Sequence, residues 1–420
     1  MMVYNLNAFE SSQVVECPYP QGMAYPAAVL GEAVCPIQRT YDGKGIFMAE
    51  HIPAKGSAAF RVEESSAVKS RVGVDGGVVD TPFFTVKLNR SGQFSSFVDK
   101  RAGRELLKEH EKRNTLVTYE DRPHYYDAWD INNYYTEKPY PIDQDAKITV
   151  LEDGPVRTVI RVEHEYLSSR IVQDLVFYSG LDRIDLHYRI DWHEKQILLR
   201  TYFPVDIHGT EATYEIQYGN VTRPANRNTS WDQAKFEVCA HKWIDLSEDD
   251  YGISILNDCK YGCVIHDGVI GLTLLKSPVY PNPDADREHH EFSYSLYPHR
   301  GGWKAAGTIQ KAYEFNNPME VRIKDEGGGT LVPGRALVRP DRDNVAVEVI
   351  KPADDVNGYI IRLYEAFNRN GDIRLMMGAP VRAAWQCDML EYDQAGLQAD
   401  GNTVTVHMKP YEIKTVRVLM

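Results

Sequence analysis

Ile184-Asp185-Leu186-His187-Tyr188-Arg189-Ile190-Asp191-Trp192 alternates apolar and polar side chains without a break. In an extended chain successive side chains point to opposite faces, so Ile184, Leu186, Tyr188, Ile190 and Trp192 fall on one buried face and Asp185, His187, Arg189 and Asp191 on the other. A slip of one residue would turn the four polar groups into the core, so the pattern itself sets the register. The same period recurs at Phe84, Val86, Leu88, at Thr158, Ile160, Val162, at Val345, Val347, Val349 and at Val404, Val406, Met408. A helical period is scarce. Its best candidate is Ala102 to Glu111, where Leu106, Leu107 and His110 share one face. Asn89-Arg90-Ser91-Gly92, Glu152-Asp153-Gly154-Pro155, Asp267-Gly268 and Asp400-Gly401-Asn402 punctuate the extended runs with residues that suit hairpin turns. Parallel neighbours would need helical crossovers, which the pattern lacks. The expected fold class is all-β, with antiparallel sheets packed face to face.

The 420 residues suffice for two to four domains at roughly 100–200 residues each. Ser65 to Gly77 is rich in small residues, and Asp325 to Gly334 contains Glu326-Gly327-Gly328-Gly329, so both read as joints. The expected domains are 1–76, 77–310 and 311–420. The middle one exceeds the roughly 100 residues of a seven-strand sandwich and reads as an enlarged one.

With 43% hydrophobic and 25% charged residues the chain is neither disordered, collagenous nor a coiled coil. Its net charge, 47 − 60 = −13, repels phosphate backbones and argues against nucleic acid as a partner. No run approaches the roughly 18 apolar residues of a membrane span, and Met1 to Pro20 lacks the basic and apolar regions of a secretory leader. Six scattered cysteines suit a reducing compartment, so a cytoplasmic location is expected. Only Cys259 and Cys263 are close, and no second pair completes a zinc site.

Chemistry concentrates in a few segments. Tyr119 to Ile131 mixes carboxylates with aromatics and has no strand period, so it reads as an ordered loop. Two readings stand for it. Aromatic faces beside carboxylates suit sugars, whose C–H groups stack on rings while hydroxyls donate to carboxylates; equally, Trp129 and the tyrosines plug a sheet end while the aspartates cap backbone N–H groups. Asp127 and Asp130 form a carboxylate pair of the kind that hydrolyses glycosides at about 5–10 Å separation, although such spacings arise by chance in an acidic chain. Asn257 to Gly262 reads as a turn at a strand end, with Asp258 and Lys260 either touching a ligand or holding the turn. Ser277-Pro278-Val279-Tyr280-Pro281-Asn282-Pro283 is a proline-stiffened connection. His289-His290-Glu291 puts neighbouring side chains on opposite faces of a strand, which disfavours a shared metal ion. His187 and His241 are the histidines available to an epimerase-like reading, and neither sits in a recognisable motif.

The segments YEDRPHYYDAWDI (Tyr119–Ile131), YEIQYG (Tyr214–Gly219), TSWDQAKF (Thr229–Phe236), AHKWIDLSE (Ala240–Glu248), YGISILNDCKYG (Tyr251–Gly262) and SPVYPNPDAD (Ser277–Asp286) resemble, in order, the C-terminal half of glycoside hydrolase family 38 α-mannosidases. The likeness runs from Val3-Tyr4-Asn5 through GYIIRLYEA (Gly358–Ala366) to PYEIKTV (Pro410–Val416). It implies a large galactose mutarotase-like super-sandwich flanked by two smaller β-sandwich domains. It also implies a retaining mechanism whose aspartate nucleophile and zinc ligands are supplied by a preceding domain, so that no catalytic or metal-binding residue maps onto this chain. Zinc is expected in that missing N-terminal catalytic domain, and the chain alone is expected to be inactive. Tyr125, Tyr126, Asp127, Trp129, Asp130, Asn257, Asp258 and Lys260 lie in the motifs that the resemblance places at the sugar-pocket rim. The implied partners are a mannose-containing carbohydrate and the catalytic domain; a second copy of the chain is a further candidate that the sequence leaves open, and the alternative is a stand-alone carbohydrate-binding protein.

Overall fold

The computed structural model describes residues 1–108, 114–323 and 336–420. Ile184–Asp191 is a strand, and Ile184, Leu186, Tyr188, Ile190 and Trp192 are all buried. It lies between Ser169–Tyr178 and His289–Arg300, antiparallel to both. These strands belong to a nine-stranded sheet in the spatial order Lys147–Asp153, Arg157–Tyr166, Ser169–Tyr178, Ile184–Asp191, His289–Arg300, Tyr251–Asn257, Trp243–Ser247, Glu211–Ile216, Gly219–Pro224. A six-stranded sheet runs Pro139–Pro141, Thr115–Glu120, Ile197–Pro204, Val269–Lys276, Gly262–His266, Val238–Cys239. A five-stranded sheet is built around Phe84–Leu88 and Phe94–Asp99. One core joins them: Leu186, Tyr188 and Ile190 from the first, Leu199, Phe203 and Leu272 from the second, Phe84, Val86 and Phe94 from the third. Each such side chain contributes roughly 1.5–3 kcal/mol of burial. The hydroxyls carried into this core are satisfied in a string, Gln173 Nε2 donating to the Tyr188 hydroxyl at 2.7 Å, which lies 2.8 Å from that of Tyr294.

The polar half of the alternation is a ladder of ion pairs across strands. Arg161 grips Asp174 with two bonds of 2.8 and 2.9 Å, and Arg189 reaches the same carboxylate at 2.6 Å. Asp185 is itself buried, paired with Arg183 at 3.0 Å and accepting from the Tyr178 hydroxyl at 2.7 Å. The helix Thr308–Asn316 covers part of this face, its Phe315 ring lying 5.5 Å from the Arg183 guanidinium. Burial alone would raise the Asp174 carboxyl, but the hydrogen bonds and charges of Arg161 and Arg189 more than offset it and hold it below its ordinary range. A depressed carboxylate stabilises the fold fully above its unfolded value of about 3.9, and that stability is lost as the pH falls through the folded value. Asp174→Asn is therefore expected to cost about 2 kcal/mol at neutral pH. Melting curves of the two proteins should converge as the pH is taken below about 4; an equal gap at pH 3 and pH 7 would contradict the assignment.

The hairpin turns form where expected: Asn89 Oδ1 accepts from the backbone N–H of Ser91 and Gln93 between two paired strands, and Asp267-Gly268 joins Gly262–His266 to Val269–Lys276. The helix expected at Ala102 to Glu111 is not present over its described part. Arg104–Glu105 is instead a strand paired with Val98 and Asp99, and Leu107 bridges Val205. The pull of the sheet edge outweighs a weak helical period. Residues 109–111 lie outside the described residues, as does the glycine-rich joint from Asp325 to Gly334.

The chain forms two compact units. One is Val68–Glu215 with Val221–Asn316, which holds the three sheets above; the other is Met1–Ala67, Ile216–Asn220 and Asn317–Met420. Among its described residues the latter contains two separate cores. Val3, Val15, Ala28, Phe47 and Met319 join three small sheets, in one of which Met2–Tyr4 pairs with Glu320–Arg322. Val347, Ile361, Leu375, Val404 and Val416 fill a sandwich of a four-stranded and a five-stranded sheet.

Candidate functional site

Two loops leave the six-stranded sheet at the same end, one after Glu120 and one after Lys276, because Glu120 is opposite Ile197 and Leu198 is opposite Lys276. Asp127 joins them. It is buried, and its two carboxylate oxygens accept the backbone N–H groups of Val279 and Tyr280 at 2.8 and 2.9 Å. Asp121, also buried, is paired with Lys276. Burial raises the Asp121 carboxyl above its ordinary range in spite of that pairing.

Fastened in this way, the loops expose a row of rings. Tyr125 and Tyr126 are 6.3 Å apart, Tyr126 and Trp129 6.1 Å, and Trp129 and Tyr280 6.4 Å between centroids. Trp129 is 69% exposed and Tyr280 57%, although such rings are normally buried. Asp130 is exposed beside them and caps the N–H of Ile131 at 2.9 Å. Tyr280 was singled out only as part of a stiff connection. Its place in the row follows from the Asp127 latch, which joins residues about 150 positions apart, and no local pattern announces such a contact.

A buried cluster lies on the same six-stranded sheet. Arg200, on Ile197–Pro204, is fully buried. It pairs with Glu237 at 2.6 Å and with the Tyr135 hydroxyl, while the Tyr202 ring lies 5.3 Å from its guanidinium. The Tyr119 hydroxyl donates to that of Tyr202 at 3.0 Å. Burial would lower the Arg200 pKa, but Glu237 and the tyrosine oxygens more than offset it and keep the guanidinium charged. Glu237 also accepts from Thr273 Oγ1 at 2.5 Å.

Asn257, Asp258 and Lys260 lie on the turn that leads into Gly262–His266, and their contacts hold that turn. Asn257 Oδ1 accepts from Lys260 N at 2.9 Å, Asp258 Oδ2 accepts from Ser293 N at 2.7 Å, and Lys260 Nζ sits 4.5 Å over the Phe292 ring. His187 is half-buried with Nδ1 2.7 Å from Ser293 Oγ, and burial pushes its pKa down. His241 lies against the Tyr261 ring at 4.8 Å. In His289-His290-Glu291, His289 contacts Glu291 at 3.0 Å while His290 turns to the Asp286 carbonyl at 2.8 Å. Among the described residues no group of three or more His, Cys, Asp or Glu side chains is placed to hold a metal ion. The six cysteines are free thiols, with Cys263 buried and Cys259 exposed. No helix among the described residues is long and apolar enough to cross a membrane.

The family model "Glycosyl hydrolases family 38 C-terminal domain" matches residues 79–284, and "Glycosyl hydrolases family 38 C-terminal beta sandwich domain" matches residues 344–416. The alpha-mannosidase G of Dictyostelium discoideum is 30% identical over 100% of this chain, which covers 40% of that protein. The human alpha-mannosidase 2C1 is 35% identical over 82% of this chain and 34% of its own length. The chain therefore spans well under half the length of these curated relatives. The crystal structure of an alpha-mannosidase from Enterococcus faecalis V583 shares the fold, with a TM-score of 0.76 at 16% identity over 99% of this chain and 55% of that one.

Proposed function

The chain belongs to glycosyl hydrolase family 38, and from that premise we propose that it is the β-sandwich region of a cytoplasmic α-mannosidase, buttressing a catalytic domain and lending the aromatic row to the rim of its sugar pocket. One observation carries the reading: Tyr125, Tyr126, Trp129 and Tyr280 stand exposed side by side on loops clamped by a buried carboxylate. Rings held open in this way present apolar faces to sugar C–H groups while Asp130 offers an acceptor to hydroxyls. Asp127 acts as the latch. Its two oxygens are occupied by backbone amides, so it serves neither as acid nor as nucleophile, and with Asp130 it makes no hydrolytic pair. The reaction's nucleophile, acid and zinc then belong to a catalytic domain outside this chain. Asn257, Asp258 and Lys260 contribute by fixing the neighbouring turn.

Two measurements test the reading. The chain, incubated with an aryl α-mannoside with and without added zinc, should show no turnover; hydrolysis that copurifies with it would defeat the proposal. Titration with mannobiose should give weak saturable heat, reduced by about 2- to 10-fold in affinity by Trp129→Ala if a ring contributes roughly 0.5–1.5 kcal/mol. An unchanged affinity in that variant removes the row from the site. Binding in the micromolar range by this chain alone would instead favour the stand-alone carbohydrate-binding protein.

A further inference from the structure

A second concavity lies in the same compact unit, lined by residues that the aromatic row does not involve. The strand Gly219–Pro224 contributes Arg223, the connection after it Arg227, the stretch after the single helical turn Ser230–Gln233 contributes Lys235, and the strand Gly262–His266 ends in His266. These side chains share one cleft of about 350 Å³, mouth included, with Tyr214 and Asp232.

The charge there is inverted relative to the whole. The protein carries −13, yet Arg223, Arg227 and Lys235 converge on this cleft, and among the described residues none of the three has an ion pair. One carboxylate also lines the cleft, Asp232, whose Oδ2 accepts from Thr229 Oγ1 at 2.6 Å, and the three cations outnumber it. Asp267, the other nearby carboxylate, lies 3.4 Å from His266 Nδ1 and points largely to solvent. Arg223 is half-buried and stacked at 4.8 Å on the Tyr214 ring, which holds its fork in one orientation; its Nη1 is fully buried and has no hydrogen-bond acceptor. Burial and then the charge of Arg227 push the His266 imidazole below its ordinary value, as expected beside an uncompensated cation. Gathering like charges around an orphaned guanidinium N–H is unfavourable unless an anion completes the arrangement.

We propose that this cleft is a binding site for an oxyanion, a phosphate or carboxylate group carried by a small molecule, with Arg223 and Arg227 as the forks that grip it and Lys235 as a point charge at the mouth. Guanidinium forks match the paired oxygens of either group, and an aromatic-stacked arginine loses little entropy on binding. The site is independent of the sugar rim, so either reading can fail without the other.

The test is thermal unfolding of the chain in inorganic phosphate, in acetate and in chloride at one ionic strength. Phosphate or acetate should raise the melting temperature saturably while chloride does not, because a ligand that binds only the folded state stabilises it by mass action. A larger response to phosphate than to acetate assigns a phosphorylated ligand, and the reverse assigns a carboxylate. Arg223→Gln with Arg227→Gln should abolish the response. Arg227→Gln with Lys235→Gln, which removes no side-chain hydrogen bond or ion pair among the described residues, should weaken it at least 5-fold, so the test survives if loss of the Arg223 stack unfolds the chain. Equal behaviour in all three salts, or an undiminished response in the Arg227→Gln, Lys235→Gln protein, overturns the assignment.

Discussion

Glu237→Leu should destabilise the unit that contains it by about 3–5 kcal/mol, the penalty for leaving a buried guanidinium without its partner. Arg200 is fully buried and meets Glu237 at 2.6 Å, and the Tyr135 hydroxyl that also touches it is neutral and cannot replace the charge. Thr273 loses its acceptor in the same variant. At roughly 2–4 °C per kcal/mol for a unit of this size the melting temperature falls by about 6–20 °C. The companion variant decides the cause. If the penalty is an unpaired charge, adding Arg200→Met to Glu237→Leu should recover most of the loss, since an apolar pair of similar volume removes both the charge and its desolvation. A double variant no more stable than the single one, or a single variant within about 1 kcal/mol of the parent, would show that the pair does not carry this face of the sheet.

Asp127→Ala is expected to cost about 3–5 kcal/mol, because it deletes two hydrogen bonds to an ionised acceptor, each worth roughly 1.5–3 kcal/mol, and strands the Val279 and Tyr280 amides. Its consequence for function exceeds that for stability. Without the latch the hydrogen bonds that place Tyr280 beside Trp129 are gone, and the row of rings loses its geometry. Limited proteolysis should then cut within Ser277 to Asp286 much faster than in the parent, and mannobiose heat should disappear together with the protection. Asp127→Asn retains one acceptor oxygen and should fall between the two. Protection unchanged in Asp127→Ala would mean that the loops are held by other contacts.

How much of this was legible in the sequence can be judged residue by residue. The alternation at Ile184 to Trp192 is realised as an interior strand of the nine-stranded sheet, since a period of two with five large apolar residues on one face has few other solutions. The same holds for the strands at Phe84–Leu88 and Thr403–Met408. At Ala102 to Lys108 the local signal was too weak to prevail, and strand pairing won. The helix Thr308–Asn316 was missed because it is short and, of its buried residues Thr308, Ile309, Ala312 and Glu314, only Ile309 and Ala312 are apolar. At the candidate site, the loop Tyr119 to Ile131 was recognisable by its density of rings and carboxylates, but the division of labour within it was not. Asp127 and Asp130 look alike in the sequence; one is buried on backbone amides and the other is open to solvent.

By itself the sequence determined the fold class, the register of the principal strands and the positions of the hairpin turns, because these depend on neighbours within a few residues and on a side-chain period that the chain spells out. Only the tertiary structure decided that Tyr280 joins Trp129, that Arg200 is buried against Glu237, and that Arg223, Arg227, Lys235 and His266 share one cleft. Those pairings close long loops, and whether an exposed-looking arginine or aspartate is buried depends on which distant strand covers it, a property of packing that no local pattern encodes.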